Sequence, residues 1–448
     1  MNASATPEQP LEELITLVRD GHTEAFIERA SQLEPADLAD VLAALDEEER
    51  IELVRALPPE ISSQALVEMP EHAHAEATLA ALEPERAAEI VDELEDDDAA
   101  DLLGELEPEQ QEAILAGVED RRDVDRLLRY DEESAGGLMT TYLVTVTDVD
   151  TVAFALEAIR RQAEDVEDVS EIFVVDAHRR LVGMLPFKQL VLSLPSALVR
   201  DVMEPADVRV APDDDQEEVA RKMARYNVPS IPVVDPAGRL LGRITYDDVI
   251  DVAEAEATED LLRFGGVSPD EGLAANWLAA VHSRLPWLYV NLLTGFLAAA
   301  VVFYFKGSIE RMAVLAVWMP IVAGMGGNAG TQALAVTVRR LSLGQVPSAQ
   351  VRRLVGKELV VGLVNGIAIG FVLAIVSVLL GESWRLGGVV FLAMSLNLFV
   401  AGFAGSFVPV LLERLGIDPA VASSVFVTTL TDVCGFGLLL GLASLVLL

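Results

Sequence analysis

Five long apolar runs near the end of the chain restrict its fold more than any other feature. They extend over about Pro286–Phe305, Met312–Val338, Gly356–Leu380, Gly387–Leu412 and Ala420–Leu448. A helix that crosses a bilayer needs about 20 predominantly apolar residues, and each run is long enough. The sequence therefore predicts a five-helix transmembrane domain over residues 276–448, embedded in the lipid bilayer of a plasma (inner) membrane.

Basic residues in the loops predict how these runs are oriented. Five of them flank the second loop: Arg339, Arg340, Arg352, Arg353 and Lys357. Because loops rich in Lys and Arg stay on the cytoplasmic side, we expect this loop in the cytoplasm. Counting outward then predicts a cytoplasmic N-terminal half, external loops at 306–311 and 381–386, and an external C-terminus. The sequence opens without a basic and apolar leader, which also favours a cytoplasmic N-terminus.

One carboxylate, Asp432, lies inside the last apolar run, within Thr-Thr-Leu-Thr-Asp-Val-Cys-Gly at 428–435. An ionised side chain at that depth costs at least about 2.5–3.5 kcal/mol and by default marks an ion path. The alternative is a protonated or helix-paired Asp with a packing role. Asp432 is therefore a candidate ion-conducting residue.

The second run contains Pro320 and then Gly-Met-Gly-Gly-Asn-Ala-Gly-Thr-Gln at 324–332. Irregular backbone inside a membrane is tolerated only when it is buried in protein or lines a wet cavity. Close helix packing through small residues is the alternative explanation of the glycines. Packing alone does not require the amides, so the candidate residues of an ion path here are Asn328, Thr331 and Gln332. Two further amides are assigned no role beyond interhelical hydrogen bonds: Asn365 and Asn397.

Negative charge is concentrated in the first 275 residues. Residues 276–448 hold six of the 72 Asp and Glu residues and ten of the 32 Lys and Arg residues, which leaves a net charge of −44 before residue 276 and +4 after it. We expect the acidic half to repel nucleic acid and anionic lipid and to attract divalent cations. Cys434 is the single cysteine, which excludes a disulfide framework and a cysteine-rich zinc site.

Residues 33 to about 118 repeat with a period of 12 residues, interrupted once by 13. Seven apolar residues open the units: Leu33, Leu45, Leu57, Met69, Leu82, Leu94 and Leu106. Proline or acids follow most of them, as suits a first helical turn. Units this short cannot bury a face alone, so the repeat predicts an all-α acidic N-terminal superhelical domain over residues 1–132. A crowd of acids at one helix start favours a cation-facing surface over a generic acidic scaffold: Asp96, Asp97, Asp98 and Asp101.

Residues 133–254 contain two copies of one α/β pattern. The first has Ile-Phe-Val-Val-Asp at 172–176 and Leu-Val-Gly-Met-Leu at 181–185. The second has a helix near 216–226, Ile-Pro-Val-Val-Asp at 231–235 and Leu-Leu-Gly-Arg-Ile-Thr at 240–245. Each copy predicts a buried strand, a turn, a second strand and a helix. The two copies in tandem resemble a CBS-domain pair, which implies a regulatory module.

Many CBS pairs bind adenine nucleotides through Gly-x-x-[Thr/Ser]-x-x-Asp. The second copy carries this pattern as Gly242, Thr245 and Asp248. The first copy departs from it, with Gly183, Pro186 and Gln189 at the matching positions. ATP at this pair is therefore a weaker expectation than the fold itself.

An acidic linker (plug) helix is predicted over residues 246–275. No Lys or Arg occurs between Arg243 and Arg263. Successive turns place Asp248, Asp251 and Glu259 near one face, with Glu256 close by. Like charges stacked in this way repel, so either a cation or a basic partner must compensate them.

The order of these segments resembles that of the MgtE family of magnesium channels, over nearly the full length. Specific matches are AGGLMTT at 135–141, YDDVID at 246–251, EATED at 256–260, GMGGN at 324–328 and TLTD at 429–432. The resemblance implies a homodimer with one pore on its two-fold axis. It implies that Asp432 of each subunit holds a hydrated Mg²⁺ there, helped by backbone carbonyls near Thr428 and Gly435.

The resemblance also implies regulatory Mg²⁺ between the N-terminal domain, the CBS pair and the linker helices. Matching motifs assigns this role to ten acids: Asp97, Asp101, Asp215, Glu217, Asp248, Asp251, Glu256, Glu259, Asp260 and Asp418. After Tyr226 the family often has an acid, whereas this chain has Asn227. One regulatory site is therefore expected to be weaker or missing.

These features together predict a Mg²⁺-selective channel or transporter that imports Mg²⁺ down its electrochemical gradient and closes when Mg²⁺ binds the acidic cytoplasmic surfaces. The alternatives are a broader transporter of Co²⁺, Mn²⁺ or Ni²⁺, a CBS-regulated channel for another ion, and a non-conducting cation sensor. An enzyme is not expected, because the sequence lacks His-Glu-x-x-His and its membrane half holds only His282. A pump is not expected because Gly-x-x-x-x-Gly-Lys-[Ser/Thr] does not occur.

Overall fold

A computed structural model describes residues 8–70, 73–119, 121–162, 171–268, 277–342, 350–417 and 419–448. The chain divides into two compact units, Met1–Glu254 and Ala255–Leu448. The first unit begins with ten helices: α1 (Glu8–Arg19), α2 (Thr23–Ala30), α3 (Pro35–Ala43), α4 (Glu47–Ala56), α5 (Pro59–Val67), α6 (Ala75–Ala80), α7 (Pro84–Val91), α8 (Asp96–Gly104), α9 (Pro108–Leu115) and α10 (Arg121–Leu127).

The rest of the first unit mixes strands and helices: β1 (Thr145–Thr147), α11 (Val152–Gln162), β2 (Glu171–Val175), β3 (Leu181–Pro186), α12 (Phe187–Leu192), α13 (Val199–Val202), α14 (Gln216–Tyr226), β4 (Ile231–Val234) and β5 (Leu240–Ile244). Helix α15 (Tyr246–Gly265) begins in the first unit and ends in the second. The second unit continues with α16 (Trp277–Tyr304), α17 (Lys306–Arg311), α18 (Leu315–Ser342), α19 (Val351–Leu379), α20 (Trp384–Arg414) and α21 (Pro419–Val446).

The acidic repeat folds into short helices whose starts are fixed by the sequence. Proline occupies the first turn of α3, α5, α7 and α9, where its missing N–H would have no helical partner anyway. The odd-numbered helices α1 to α9 pack in order, and so do the even-numbered helices α4 to α10. The apolar residues that open the units lie between helices; Leu57 is 1% exposed, and only Leu33 of the seven is half-buried.

Each copy of the α/β repeat is built around an antiparallel strand pair. In the first copy β2 pairs with β3, and β1 runs parallel to β2. In the second copy β4 pairs with β5, and a bridge from Val210 to Val233 takes the place of β1. The apolar strand residues are buried, which agrees with the expectation of a core at this position.

The two copies exchange their leading segments. A Cβ on Gly183 of the first copy would lie 2.6 Å from the sulfur of Met203, which precedes the second copy. A Cβ on Gly242 of the second copy would lie 2.8 Å from the sulfur of Met139, which precedes the first. Backbone bridges accompany both contacts, between Met184 and Glu204 and between Thr140 and Arg243. Only glycine therefore fits at either position.

Four helical segments of the described chain are long and apolar enough to cross a membrane: Ala280–Tyr304, Val351–Leu379, Trp384–Arg414 and Ser424–Val446. Helix α18 has 28 residues but is not among these four, because its amides, glycines and terminal arginines lower its hydropathy. It runs without a break through Pro320 and the glycines, so the irregular backbone considered from the sequence is absent from this helix. The predicted external loop at 306–311 is the short helix α17.

Small residues allow the helices of the second unit to approach closely. A Cβ on Gly366 of α19 would lie 2.8 Å from the Cα of Ser395 on α20. A Cβ on Gly330 of α18 would lie 2.5 Å from Cγ1 of Val427 on α21. Close packing therefore accounts for these glycines, as it does between many membrane helices.

Candidate ion path and regulatory carboxylates

Asp432 lies at the midpoint of α21, a 28-residue helix that carries no other charged side chain. It is half-buried and makes no hydrogen bond or ion pair with any residue that the structure describes. Glu358, near the start of α19, differs because it pairs with Lys357 (Nζ to Oε1, 3.2 Å). The alternative of a helix-paired Asp432 therefore finds no partner in the described part of the chain.

Polar side chains of α18 and α21 lie on exposed faces of the second unit. Asn328 and Gln332 are one turn apart on α18 and both are exposed. Thr331 is half-buried, and its hydroxyl donates to the Gly327 carbonyl at 3.0 Å. Thr428 is exposed one turn before Asp432 on α21. Each helix therefore exposes polar side chains, which would be poorly solvated in the apolar interior of a membrane.

Asn397 of α20, to which the sequence alone assigned no role, joins three helices. It is fully buried; its Nδ2 donates to the Val322 carbonyl of α18 at 3.0 Å, and its Oδ1 has no partner among the described residues. Its amide lies against Gly326 of α18 and Gly435 of α21, where a Cβ on Gly435 would be 2.8 Å from Nδ2. The interhelical bond expected of Asn397 is confirmed, whereas Asn365 is exposed and makes none to a described residue.

Asp97 and Asp101 of α8 form an acidic cluster with Asp248 of α15, within the first unit. Asp97 is buried, and its Oδ1 has no hydrogen-bond partner in the described chain. Burial, then the charges of Asp98 and Asp248, raises the pKa of Asp97 well above its ordinary value. Asp101 keeps solvent contact on one side; desolvation on the other, then the charges of Glu132 and Asp98, raises its pKa to about 7. Glu132 is a member that sequence matching missed.

Two further acids of α15 have raised pKa values. Burial raises the pKa of Asp248, although hydrogen bonds from the Thr245 hydroxyl (2.5 Å) and amide (3.0 Å) oppose this shift. Burial, then the charges of Asp247 and Glu254, raises the pKa of Asp251. Ionising this end of the helix is therefore unfavourable without a counter-charge.

The cluster lacks the arrangement that direct chelation of a metal needs among the described residues. No group of three or more His, Cys, Asp or Glu among the described residues could hold a metal ion. Mg²⁺ usually keeps several waters and is bound through one or two carboxylates. The oxygen of Asp97 that has no partner among the described residues, on which the charge of Asp248 acts, is a candidate for such a ligand.

Asp96 belongs to the same helix start but has a structural role. It is 5% exposed, and its Oδ1 accepts hydrogen bonds from the Thr140 hydroxyl at 2.9 Å and the Thr141 amide at 3.0 Å. The Thr141 hydroxyl donates to the other oxygen. The expectation that all the acids of this helix start face a cation is therefore wrong for Asp96.

The remaining regulatory candidates lie apart from this cluster or outside the described residues. Asp215 is exposed and caps α14 by accepting from the Glu217 amide at 2.9 Å. Neither residue is among the principal charges acting on the cluster. Glu256, Glu259 and Asp260 lie in the part of α15 that belongs to the second unit. Glu259 forms an ion pair with Arg263, so a basic partner compensates its charge. Asp418 lies outside the described residues.

The nucleotide pattern of the second copy is engaged in contacts of its own. Gly242 is required by its contact with Met139 and Thr140. The Thr245 hydroxyl and amide both bind Asp248 Oδ2, which caps the start of α15. A nucleotide that used these two side chains would have to replace that bond.

Sequence profiles of known families match most of the chain. The MgtE divalent cation transporter profile matches residues 319–442. The MgtE intracellular N domain matches residues 33–133, and the CBS domain matches residues 135–196 and 199–255. Fold and site together thus define a multi-pass membrane transport protein with an acidic helical domain and a tandem CBS pair.

Three known proteins show how close the relationship is. The magnesium transporter MgtE of Thermus thermophilus is 40% identical over 333 residues, 73% of each chain. The magnesium transporter MgtE of Enterococcus faecalis is 36% identical over 327 residues, 73% of this chain and 72% of that protein. The crystal structure of the cytosolic domain of the Mg²⁺ channel MgtE in complex with ATP is 36% identical, with a TM-score of 0.51, and covers 54% of this chain and 99% of that one. This chain belongs to the MgtE family of magnesium transporters.

Proposed function

We propose that this protein is a channel that imports Mg²⁺ down its electrochemical gradient and closes when Mg²⁺ binds its acidic cytoplasmic surfaces. The observation that carries the proposal is Asp432 at the midpoint of an apolar helix, where it pairs with no described residue. An ionised carboxylate there is costly, and a cation passing it offsets that cost. The other residues proposed for the ion path are Thr428, Gly435, Asn328, Thr331 and Gln332.

The exposed polar faces of α18 and α21 support a homodimer. In a single chain, Asn328, Gln332 and Thr428 would face lipid, whereas polar groups within membranes face the protein interior or water. A second copy related by a two-fold axis would enclose both faces around one pore. The same argument makes α18 a fifth span, because a helix lining a wet pore need not be apolar all round.

Mg²⁺ would pass the paired Asp432 side chains in hydrated form. This ion releases its inner waters reluctantly and usually keeps several. Carboxylates that hold the hydrated ion avoid most of that cost and allow release, as conduction requires. The membrane potential then supplies about 2.3 kcal/mol per charge per 100 mV. Selectivity over Co²⁺, Mn²⁺ and Ni²⁺ is part of the proposal, with a broader divalent-cation transporter as the alternative.

Closure by Mg²⁺ follows from the repulsion within the acidic cluster. Ionised Asp97, Asp101 and Asp248 repel one another, and bound Mg²⁺ would offset this repulsion and favour a compact, closed state. A shift from 1:99 to 99:1 needs about 5.5 kcal/mol of differential binding, whereas one site typically couples about 1–3 kcal/mol. Several sites are therefore needed, and we propose seven further acids for them: Asp215, Glu217, Asp251, Glu256, Glu259, Asp260 and Asp418.

The domain limits that we propose are residues 1–132 for the acidic helical domain, 133–254 for the CBS pair, 246–275 for the linker helix and 276–448 for the pore domain. The N-terminal half would be cytoplasmic and the C-terminus external. The ATP bound to a relative's cytosolic domain supports a nucleotide at Gly242, Thr245 and Asp248. No catalytic activity is proposed.

Mg²⁺ uptake into proteoliposomes tests the ion path. We expect Asp432→Asn, which keeps the side-chain volume, to lose most Mg²⁺ flux while retaining the thermal stability and elution volume of the native protein. Glu413→Gln, a change of an exposed acid near the end of α20, is the matched control and should conduct normally. Native flux in Asp432→Asn would remove the pore assignment.

Limited proteolysis tests the regulatory part separately. Cleavage of the linker at 246–275 should slow as Mg²⁺ rises through millimolar concentrations, and Asp97→Asn together with Asp101→Asn should weaken that protection. Asp37→Asn, which neutralises an exposed acid of α3, serves as the control. Protection that is the same in all variants would place the sensor elsewhere.

A further inference from the structure

A groove lies where one end of α20 meets one end of α21. Its cavity volume is about 330 Å³, within the range of ligand pockets. Its walls are the aliphatic side chains of Val389, Leu392, Leu442 and Val446, with Gly388 between them. Trp384 and Arg385, the first residues of α20, stand at its mouth.

The arginine at this groove has no acidic partner among the residues that the structure describes. No carboxylate in the described chain pairs with Arg385, whose guanidinium lies 5.8 Å from the ring centroid of the Trp384 side chain. Both residues are exposed, Trp384 to 77%. The positive charge is thus held in place over an aromatic ring and left available to an anion.

The position of the groove defines the kind of anion that reaches it. Both helices are long and apolar enough to cross a membrane, so their ends lie at the level of the lipid headgroups. Trp and Arg are side chains that favour that level. An occupant with a negative group at the mouth and an apolar body along the aliphatic wall fits both parts of the groove.

We propose that this groove binds an anionic phospholipid, with its headgroup phosphate on Arg385 and an acyl chain along Val389, Leu392 and Leu442. Charge complementarity favours lipid over a second copy of the chain. An acid of another copy would have to reach Arg385; of the two acids in the predicted external segments 306–311 and 381–386, Glu310 is already paired with Lys306 (3.6 Å) and Glu382 is half-buried. The site is separate from Asp432 and does not depend on the proposed ion path.

Quenching of Trp384 fluorescence by brominated lipids tests the site in the full-length protein in detergent. The fraction of quenching that Trp384→Phe removes reports the groove. We expect brominated phosphatidylglycerol to reach half-maximal quenching at about fivefold lower concentration than brominated phosphatidylcholine, which is the size of one arginine–anionic lipid contribution.

Two variants separate the headgroup contact from the acyl contact. Arg385→Gln should abolish the fivefold preference while leaving quenching by both lipids. Gly388→Leu should reduce quenching by both lipids because its side chain fills the groove. A Cβ at Gly388 meets nothing within 4 Å, and thermal unfolding of the variant checks that the fold is retained. Arg311→Gln removes another exposed arginine, from α17, and should change nothing.

Three outcomes would overturn the proposal. Equal quenching by the two lipids in the native protein would remove the anionic headgroup. Unchanged quenching in Gly388→Leu would remove the acyl chain from the groove. A shift of Gly388→Leu to a smaller species on size-exclusion chromatography would show that a second copy of the chain covers this surface instead.

Discussion

The Asn397 side chain of α20 donates a hydrogen bond to the backbone carbonyl of Val322 on α18, 3.0 Å away. The same amide lies against Gly326 of α18 and Gly435 of α21. Three helices thus meet at one buried side chain. Its contact on α21, Gly435, lies three residues after Asp432. We therefore expect the packing at Asn397 to influence the position of the proposed ion-binding carboxylate.

Gly326→Ala should destabilise the protein and lower its Mg²⁺ flux. The added Cβ would overlap Nδ2 of Asn397, and overpacking of this kind typically costs about 1–3 kcal/mol. Because Asn397→Ala removes the obstructing amide, the double variant should be more stable than Gly326→Ala alone. Thermal unfolding in detergent and uptake into proteoliposomes measure both effects.

Gly324→Ala is the control for this prediction. It lies on the same helix, but a Cβ there meets nothing within 4 Å, so we expect native stability. If the double variant were less stable than either single variant, the glycine would be needed for a reason other than room for Asn397.

Asp96→Ala should make the backbone at Thr140 and Thr141, which follows the acidic domain, more mobile. The change leaves the Thr141 amide and hydroxyl without their acceptor, whereas the Thr140 hydroxyl can still donate to Glu95. Losing a hydrogen bond to a charged group costs about 1.5–3 kcal/mol. Hydrogen exchange at Thr141 should become more than about tenfold faster. Asp98→Ala, a neighbouring change that spares these bonds, should leave this amide protected, and equal exchange in the two variants would contradict the assignment.

The stability around α8 should fall as the pH rises through 7 in the absence of Mg²⁺. The pKa of Asp101 is raised to about 7 and that of Asp97 also lies well above its ordinary value. The folded state therefore binds more protons than the unfolded state between about pH 4 and 7, and stability decreases with pH over that window. Hydrogen exchange of α8 amides at pH 6 and pH 8, corrected for intrinsic rates, measures the difference.

Millimolar Mg²⁺ should flatten this pH dependence because the cation replaces the lost protons as counter-charge. Asp101→Asn should reduce it even without Mg²⁺. A pH response that persists unchanged in Asp101→Asn would mean that other groups titrate.

Asn227 should tolerate glycine and aspartate but not valine. It ends α14 with φ 53° and ψ 50°, in the left-handed region, which Asn, Asp and Gly accept readily. Asn227→Val should cost about 1–2 kcal/mol in thermal unfolding, whereas Asn227→Gly should stay near native stability. Asn227→Asp restores the acid that the family often has, and it tests by Mg²⁺-dependent protease protection whether a regulatory site gains strength.

Much of the fold could be predicted because its elements are determined by residues that are close together in the sequence. Short apolar runs and turn residues predict the strand pairs of the two α/β copies and the limits of α14. The family resemblance is confirmed by the profile matches. The amphipathic repeat likewise identified the residues that are buried between the short helices. These features depend on neighbours within a few residues, which a sequence shows directly.

The candidate site could be predicted less well from the sequence, because its contacts join residues that are far apart along the chain. Asn397 and Val322 are 75 residues apart, and no pattern along the chain indicates which carbonyl an amide will reach. Asp96 and Asp97 are adjacent and identical in type, yet one accepts hydrogen bonds from Thr140 and Thr141 and the other has an unpartnered oxygen. The direction of each side chain in the folded unit decides between these roles.

The exchange of leading segments between the two α/β copies makes each copy depend on the other. Gly183 is covered by the stretch that introduces the second copy, and Gly242 by the stretch that introduces the first. A gene encoding one copy alone would make a polypeptide whose hairpin lacks its cover, and two such polypeptides could complete each other by reciprocal donation. The exchange therefore makes the two copies one cooperative unit, because neither hairpin is covered unless the other copy is present.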